Sequence, residues 1–78
     1  MSNIEMVENI FREIFMVEEN DSVEDKNVLN LENWNSYEQF TFISALEEKF
    51  SISIDIADIL KMTSYKEIID ILQKYISL

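Results

Sequence analysis

The chain contains no cysteine, histidine, glycine or proline. Without cysteine there is no disulfide and no thiolate ligand, and without histidine the commonest general base and metal ligand is missing. Together these absences exclude Cys–His nucleophilic chemistry, structural zinc of the usual kind and haem ligation. Without glycine there is no Walker loop and no dinucleotide-binding turn, because both need a backbone with no side chain pressed against phosphate. Basic residues are also scarce, with 6 Lys+Arg against 16 Asp+Glu and a net charge of −10. Duplex nucleic acid and anionic membrane surfaces both attract positive charge, so neither is an expected partner. No apolar run approaches the ~20 residues of a membrane span.

What is present is a short, apolar-rich chain of 78 residues, 47% of them hydrophobic. That length predicts one domain over residues 1–78, with a modest core. The opening Met-Ser-Asn-Ile-Glu-Met lacks the cationic start of a secretion signal, and the expectation is a soluble, monomeric, cytoplasmic protein. Its natural partners are proteins with basic patches, found quickly through long-range steering.

The hydrophobic pattern predicts helices. Ile4, Val7, Ile10, Phe11, Ile14 and Phe15 recur at the spacing of one helix face, and Ser2 with Glu5 forms a capping box. A first helix is expected from Asn3 to Met16 or Val17. From about Glu18 to Trp34 the period is lost, and a long acidic, asparagine-rich loop follows. Val28, Leu31 and Trp34 are its expected anchors to the core. Asn35 can cap a second helix with Glu38 at its third position, and a frame shifted to Ser36 with Gln39 is nearly as good. Phe40, Ile43, Leu46 and Phe50 then mark a stripe, with Phe42 beside it. Glu47 and Glu48 sit at the negative end of the helix dipole, which is mildly unfavourable. Ser51 to Ile54 reads as an extended connection. Asp55 and Asp58 open a short helix ending near Met62. Ser64 and Glu67 cap a last helix, striped by Tyr65, Ile68, Ile69, Leu72 and Ile76 and running to about Ile76. The predicted fold class is all-α, with three main helices, one short one and a long first loop.

Few residues could carry chemistry. Sixteen carboxylates make a closely spaced pair inevitable, so spacing alone identifies no acid–base dyad. The acidic stretch from Glu18 to Asp25 lacks the mid-loop glycine and terminal bidentate Glu of a calcium loop. A carboxylate hydrolase is disfavoured because no nucleophile has an adjacent base.

Three stretches carry a resemblance. Trp34-Asn35-Ser36-Tyr37 is followed by Ala45-Leu46-Glu47-Glu48-Lys49-Phe50 and Ile52-Ser53-Ile54. This order resembles the acyl carrier proteins, which have a serine, usually within Asp-Ser-Leu, at the start of the second helix. They then show Leu-Glu-Glu-x-Phe-Gly-Ile and a further Ile at the same spacing. The tail from Met62 to Ile69 is similar to the start of that family's last helix, so the likeness covers essentially the whole chain. It implies a four-helix acyl-carrier-like bundle that acts as a carrier and not as an enzyme. Ser36 would hold a 4′-phosphopantetheine arm through a phosphodiester. A phosphopantetheinyl transferase would install the arm from coenzyme A, using magnesium in its own site. The arm's thiol would carry an acyl or aminoacyl group as a thioester, delivered between loading and transfer enzymes with basic docking patches. Asn35, Tyr37, Glu38, Thr41, Ser44, Glu47 and Glu48 would form the docking face, bordered by Phe40.

The chain departs from the family pattern at four positions. Asn35 stands for the usual Asp, Tyr37 for Leu or Met, Ser51 for a Gly after the second helix, and Thr41 for an acid. Trp34 resembles the Trp-Asp-Ser form of stand-alone carriers in specialised pathways, such as surface-glycan or secondary-metabolite assembly. The alternative reading is a carrier-like domain that is not modified and serves as an acidic protein-interaction module. Self-repulsion at −10 opposes the compact state under either reading. The melting temperature is therefore expected to rise from low salt to about 0.2 M, since exposed like charges are screened over ~8–10 Å. A flat or falling Tm in a calorimetric salt series would show that charge repulsion does not govern the stability of the chain.

Overall fold

A computed structural model describes residues 2–78 and contains four helices: α1 (Asn3–Phe15), α2 (Ser36–Phe50), α3 (Ile56–Ile59) and α4 (Tyr65–Leu72). Among the described residues there is no strand, only an isolated bridge between Asn27 and Ser64. The all-α class and the four-helix count match the hydrophobic pattern. No helix among the described residues is long and apolar enough to cross a membrane.

Each helix starts where a short polar side chain can satisfy a free backbone N–H. Ser2 Oγ accepts from Glu5 N–H at 3.2 Å, and the Glu5 carboxylate accepts in return from Ser2 N–H at 3.0 Å. This pairing holds the Glu5 carboxyl below its ordinary value. Asn35, Asp55 and Ser64 cap the other three helices. The ends of α1 and α2 are alike. Met16 and Ser51 lie in the left-handed region, with φ of 59° and 54°. The next residue's N–H reaches back five positions, from Val17 to the Arg12 carbonyl and from Ile52 to that of Glu47. This is the Schellman closure that glycine usually makes, built here without glycine. It ends α1 at Phe15, short of the expected Met16 or Val17.

The core is one cluster built on aromatic rings. Val7, Phe11 and Phe15 line the buried face of α1, facing Phe42, Ile43 and Leu46 of α2 and Tyr65, Ile68 and Leu72 of α4. Phe40, expected in the α2 stripe, is 45% exposed, and Phe42 takes the core position. Trp34 packs on Phe15 with ring centroids 4.8 Å apart, and edge-on to Phe11 at 5.5 Å.

The long loop is anchored differently from expectation. Trp34 is buried and Leu31 packs partly against the core, but Val28 is 39% exposed, and Val17 and Val23 are buried in its place. Val28 contributes through its backbone, whose N–H donates to the Thr63 carbonyl. Arg12 lies beneath the loop, donating to the carbonyls of Glu18 and Asp21 and pairing with Glu8 at 3.0 Å. The loop's Lys26 is held by Asp21 at 3.0 Å, which raises the lysine's pKa.

Two further boundaries differ. α3 ends at Ile59 and continues only as tight turns, with Lys61 and Met62 bonding three residues back. α4 ends at Leu72, not Ile76, because Lys74 and Tyr75 also bond three residues back. That tightening turns both side chains onto α3, as described below.

The left-handed residues make the fold testable. A non-glycine residue there carries a penalty of roughly 1–2 kcal/mol, partly offset because glycine loses more backbone entropy on folding. Ser51→Gly is expected to stabilise the chain by about 1 kcal/mol, or ~4–8 °C in Tm. An unchanged or lowered Tm would show that the Ser51 conformation costs nothing.

Candidate functional site

The start of α2 has one exposed hydroxyl on a firmly held backbone. Asn35 is the cap, its Oδ1 accepting from Glu38 N–H at 2.9 Å, so Ser36 is the first helical residue. Ser36 is exposed, and its hydroxyl makes no hydrogen bond among the described residues. The free N–H groups of a first helical turn favour an anionic group at this end.

Trp34 fixes this end of the helix from below. Its indole N–H donates to Gln39 Oε1 at 3.2 Å. Gln39 Nε2 in turn donates to the Ile59 and Met62 carbonyls at 2.8 and 3.3 Å. One side chain thus links the residue two before Ser36, the second turn of α2 and the end of α3. Asn33 adds a bond to the Phe15 carbonyl at 3.3 Å, joining the same segment to α1.

Helical rotation of about 100° per residue sorts the other sequence-predicted positions. Tyr37, Phe40, Thr41, Ser44 and Glu48 share the outward half of α2 with Ser36. Tyr37 is 78% exposed, and Thr41 Oγ1 bonds back to the Tyr37 carbonyl at 2.9 Å. Glu38 lies on the flank, half-buried. Glu47 is also half-buried, and its Oε2 accepts from Ile54 N–H at 2.9 Å. It braces the 51–54 connection, which explains an acid at an unfavourable helix end. Glu48 stands about 18 Å along the axis from Ser36, beside Lys49, and faces a hollow shared with Ile10 and Ala45.

Sequence reasoning missed the groups that hold α3. Asp58 is buried and accepts from Lys74 Nζ at 2.8 Å and from Tyr75 OH at 2.5 Å. Tyr75 OH also accepts from Asp55 N–H at 3.1 Å. Lys74, then Tyr75, hold the Asp58 carboxyl below its usual value, and Asp58 raises the pKa of both partners. In the sequence Asp58 reads as an acid opening a short helix, and Lys74 and Tyr75 fall within the expected last helix without a role. Ile56 of α3 and Leu60 just after it are 55% and 69% exposed, apolar side chains turned outward from an element held on two sides. Among the described residues no cluster of carboxylates could hold a metal ion.

Comparison with protein-family profiles, with curated proteins and with solved structures finds no match to this chain.

The clasp on α3 has a defined pH dependence. A carboxyl with a lowered folded-state pKa contributes stability above its unfolded value and loses it as pH falls through the folded one. Asp58→Asn is therefore expected to lower Tm at pH 7. The gap to the parent chain should narrow below about pH 4, where unfolded aspartate begins to protonate. Melting curves from pH 7 to pH 2 would check this, and a gap that stays constant would show that the clasp does not depend on the charge of Asp58.

Proposed function

We propose that the chain is an acyl or aminoacyl carrier, loaded through a 4′-phosphopantetheine arm on Ser36 and working with soluble enzymes of a specialised cytoplasmic pathway. The observation that carries this reading is an unengaged, exposed serine hydroxyl as the first residue of α2, directly after a capping asparagine and a buried tryptophan. The family register of Ser36, Phe50, Ile52 and Ile54 supports it.

The residues suit the arm in three ways. The hydroxyl is open to a transferase from outside. The phosphodiester would lie where the free N–H groups and helix dipole of α2 favour negative charge. Phe40 and Tyr37 on α2, with Ile56 on α3 and Leu60 just after it, offer apolar surface to an acyl chain or a partner. The arm would supply a thiol to a chain that has no cysteine. Asn35, Glu38, Thr41, Ser44 and Glu48 would provide polar contacts to a basic partner. Glu47 would contribute mainly by bracing the backbone after α2.

Asn35 defines a more specific expectation. Its carbonyl oxygen caps as well as an aspartate would, so it keeps the fold while removing a full charge beside Ser36. A basic transferase would lose a charge-assisted hydrogen bond, stronger by roughly 1 kcal/mol than a neutral one. Incubation with coenzyme A, magnesium and a broad-specificity phosphopantetheinyl transferase is expected to add one arm by intact mass, and none to Ser36→Ala. Asn35→Asp should speed transfer about tenfold in single turnover, equivalent to ~1.4 kcal/mol. An unchanged mass across several transferases, with a known carrier modified alongside, would leave the acidic interaction module as the reading.

A further inference from the structure

A second feature lies away from Ser36. Between the first turns of α1 and α4 is a groove of about 370 Å³, walled by Ile4, Val23, Tyr65 and Ile69. All its lining residues come from α1, the loop and α4, so it opens on a face distinct from the outward half of α2. Its volume is at the small end of the ~300–1,000 Å³ range of ligand sites.

Tyr65 makes this groove more than a surface irregularity. The residue is only 5% exposed, and its ring packs edge-on to Phe11 at 5.0 Å. A buried phenol normally finds a hydrogen-bond partner. Here the hydroxyl makes none among the described residues, although it is not sealed from the groove. Burial, with Glu8 nearby, pushes its pKa up to about 12, so it remains a donor at physiological pH.

Charge around the groove is divided. Glu8 and Glu24 stand on the α1 and loop side, and Lys66 on the α4 side. Glu8 shares one carboxylate oxygen with Arg12, whereas Glu24 and Lys66 are in no ion pair among the described residues. The whole chain, at −10, draws in basic partners.

We propose that the α1/α4 groove is a second docking site, for a peptide segment of a basic partner protein. The segment inserts an apolar side chain over Tyr65, gives a backbone carbonyl to the Tyr65 hydroxyl, and sets a Lys or Arg against Glu8 and Glu24. Lys66 disfavours segments with cations on both sides of the anchor. This docking is independent of modification at Ser36.

The test is a titration of the 15N-labelled full chain with a synthetic extended peptide of leucine anchors with lysines on one side of them only. Two control peptides replace the leucines by alanine or the lysines by glutamate. Amide shifts are expected at Glu8, Val23, Glu24, Lys66 and Ile69, with both controls binding more weakly. Tyr65→Phe keeps the ring on Phe11 and removes only the hydroxyl, and is expected to weaken binding about fivefold, the scale of one hydrogen bond. Glu24→Lys, on the exposed loop, should weaken it by a similar factor, and Ser36→Ala should leave it unchanged. Shifts confined to α2 and α3, equal binding of the alanine control, an unchanged affinity in Tyr65→Phe, or no binding at millimolar peptide would each overturn the proposal.

Discussion

Phe11 is the side chain on which the rest of the fold depends. It is fully buried, and its ring meets Phe15, Trp34, Phe42 and Tyr65 with centroids between 4.8 and 5.7 Å. Those neighbours come from α1, the loop, α2 and α4, so one ring joins four parts of the chain. Aromatic pairs favour tilted and edge-on geometry, which makes such a cluster directional where aliphatic packing is not. The orientation of Trp34, and with it the start of α2, follows from where Phe11 and Phe15 place their faces.

Around that centre, a few polar side chains hold segments that cannot hold themselves. The loop is too acidic and α3 too short for either to be stable alone. Arg12 takes two loop carbonyls, Gln39 takes two carbonyls at the end of α3, and Asp58 receives Lys74 and Tyr75 from the tail. Each tether satisfies buried or half-buried polar groups that would otherwise be costly to bury. The chain has no proline to stiffen its loops and no glycine to ease its turns. Side-chain hydrogen bonds and two left-handed non-glycine residues take those roles instead.

These tethers place the two proposed sites on different faces. Ser36 stands on backbone fixed through Trp34, Asn35 and Gln39, so a group attached there would start from a defined position and direction. The groove over Tyr65 uses the other ends of the molecule, where α1 and α4 begin. A carrier that must be held by one partner while another reaches its arm would gain from two separate surfaces.

The sequence by itself determined that the chain forms four helices, about where each begins, and which side chains could cap them. Helix periodicity and capping are local, set by side chains three or four residues apart. Ser2 and Glu5 therefore marked the start of α1, and Asn35 with Glu38, or Ser36 with Gln39, that of α2, where the structure selects Asn35. Ser36 stood out only through the resemblance of the Trp34-to-Ile54 register, since by capping alone a serine at a helix start is an ordinary cap candidate. Phe40 and Phe42 exchanged core and surface places because two residues on one helix differ by about 200°, and only the partner helix decides which is covered. Val28 was exposed and Val23 buried because the loop's path is set by backbone bonds to residues near Thr63, far away in sequence. The Asp58 clasp, the brace made by Glu47 and the groove at Tyr65 likewise join residues remote in sequence or fix a local loop path. Tertiary structure alone decided them, because hydrogen bonding and burial depend on which segments meet in space, and no periodicity within a segment encodes that.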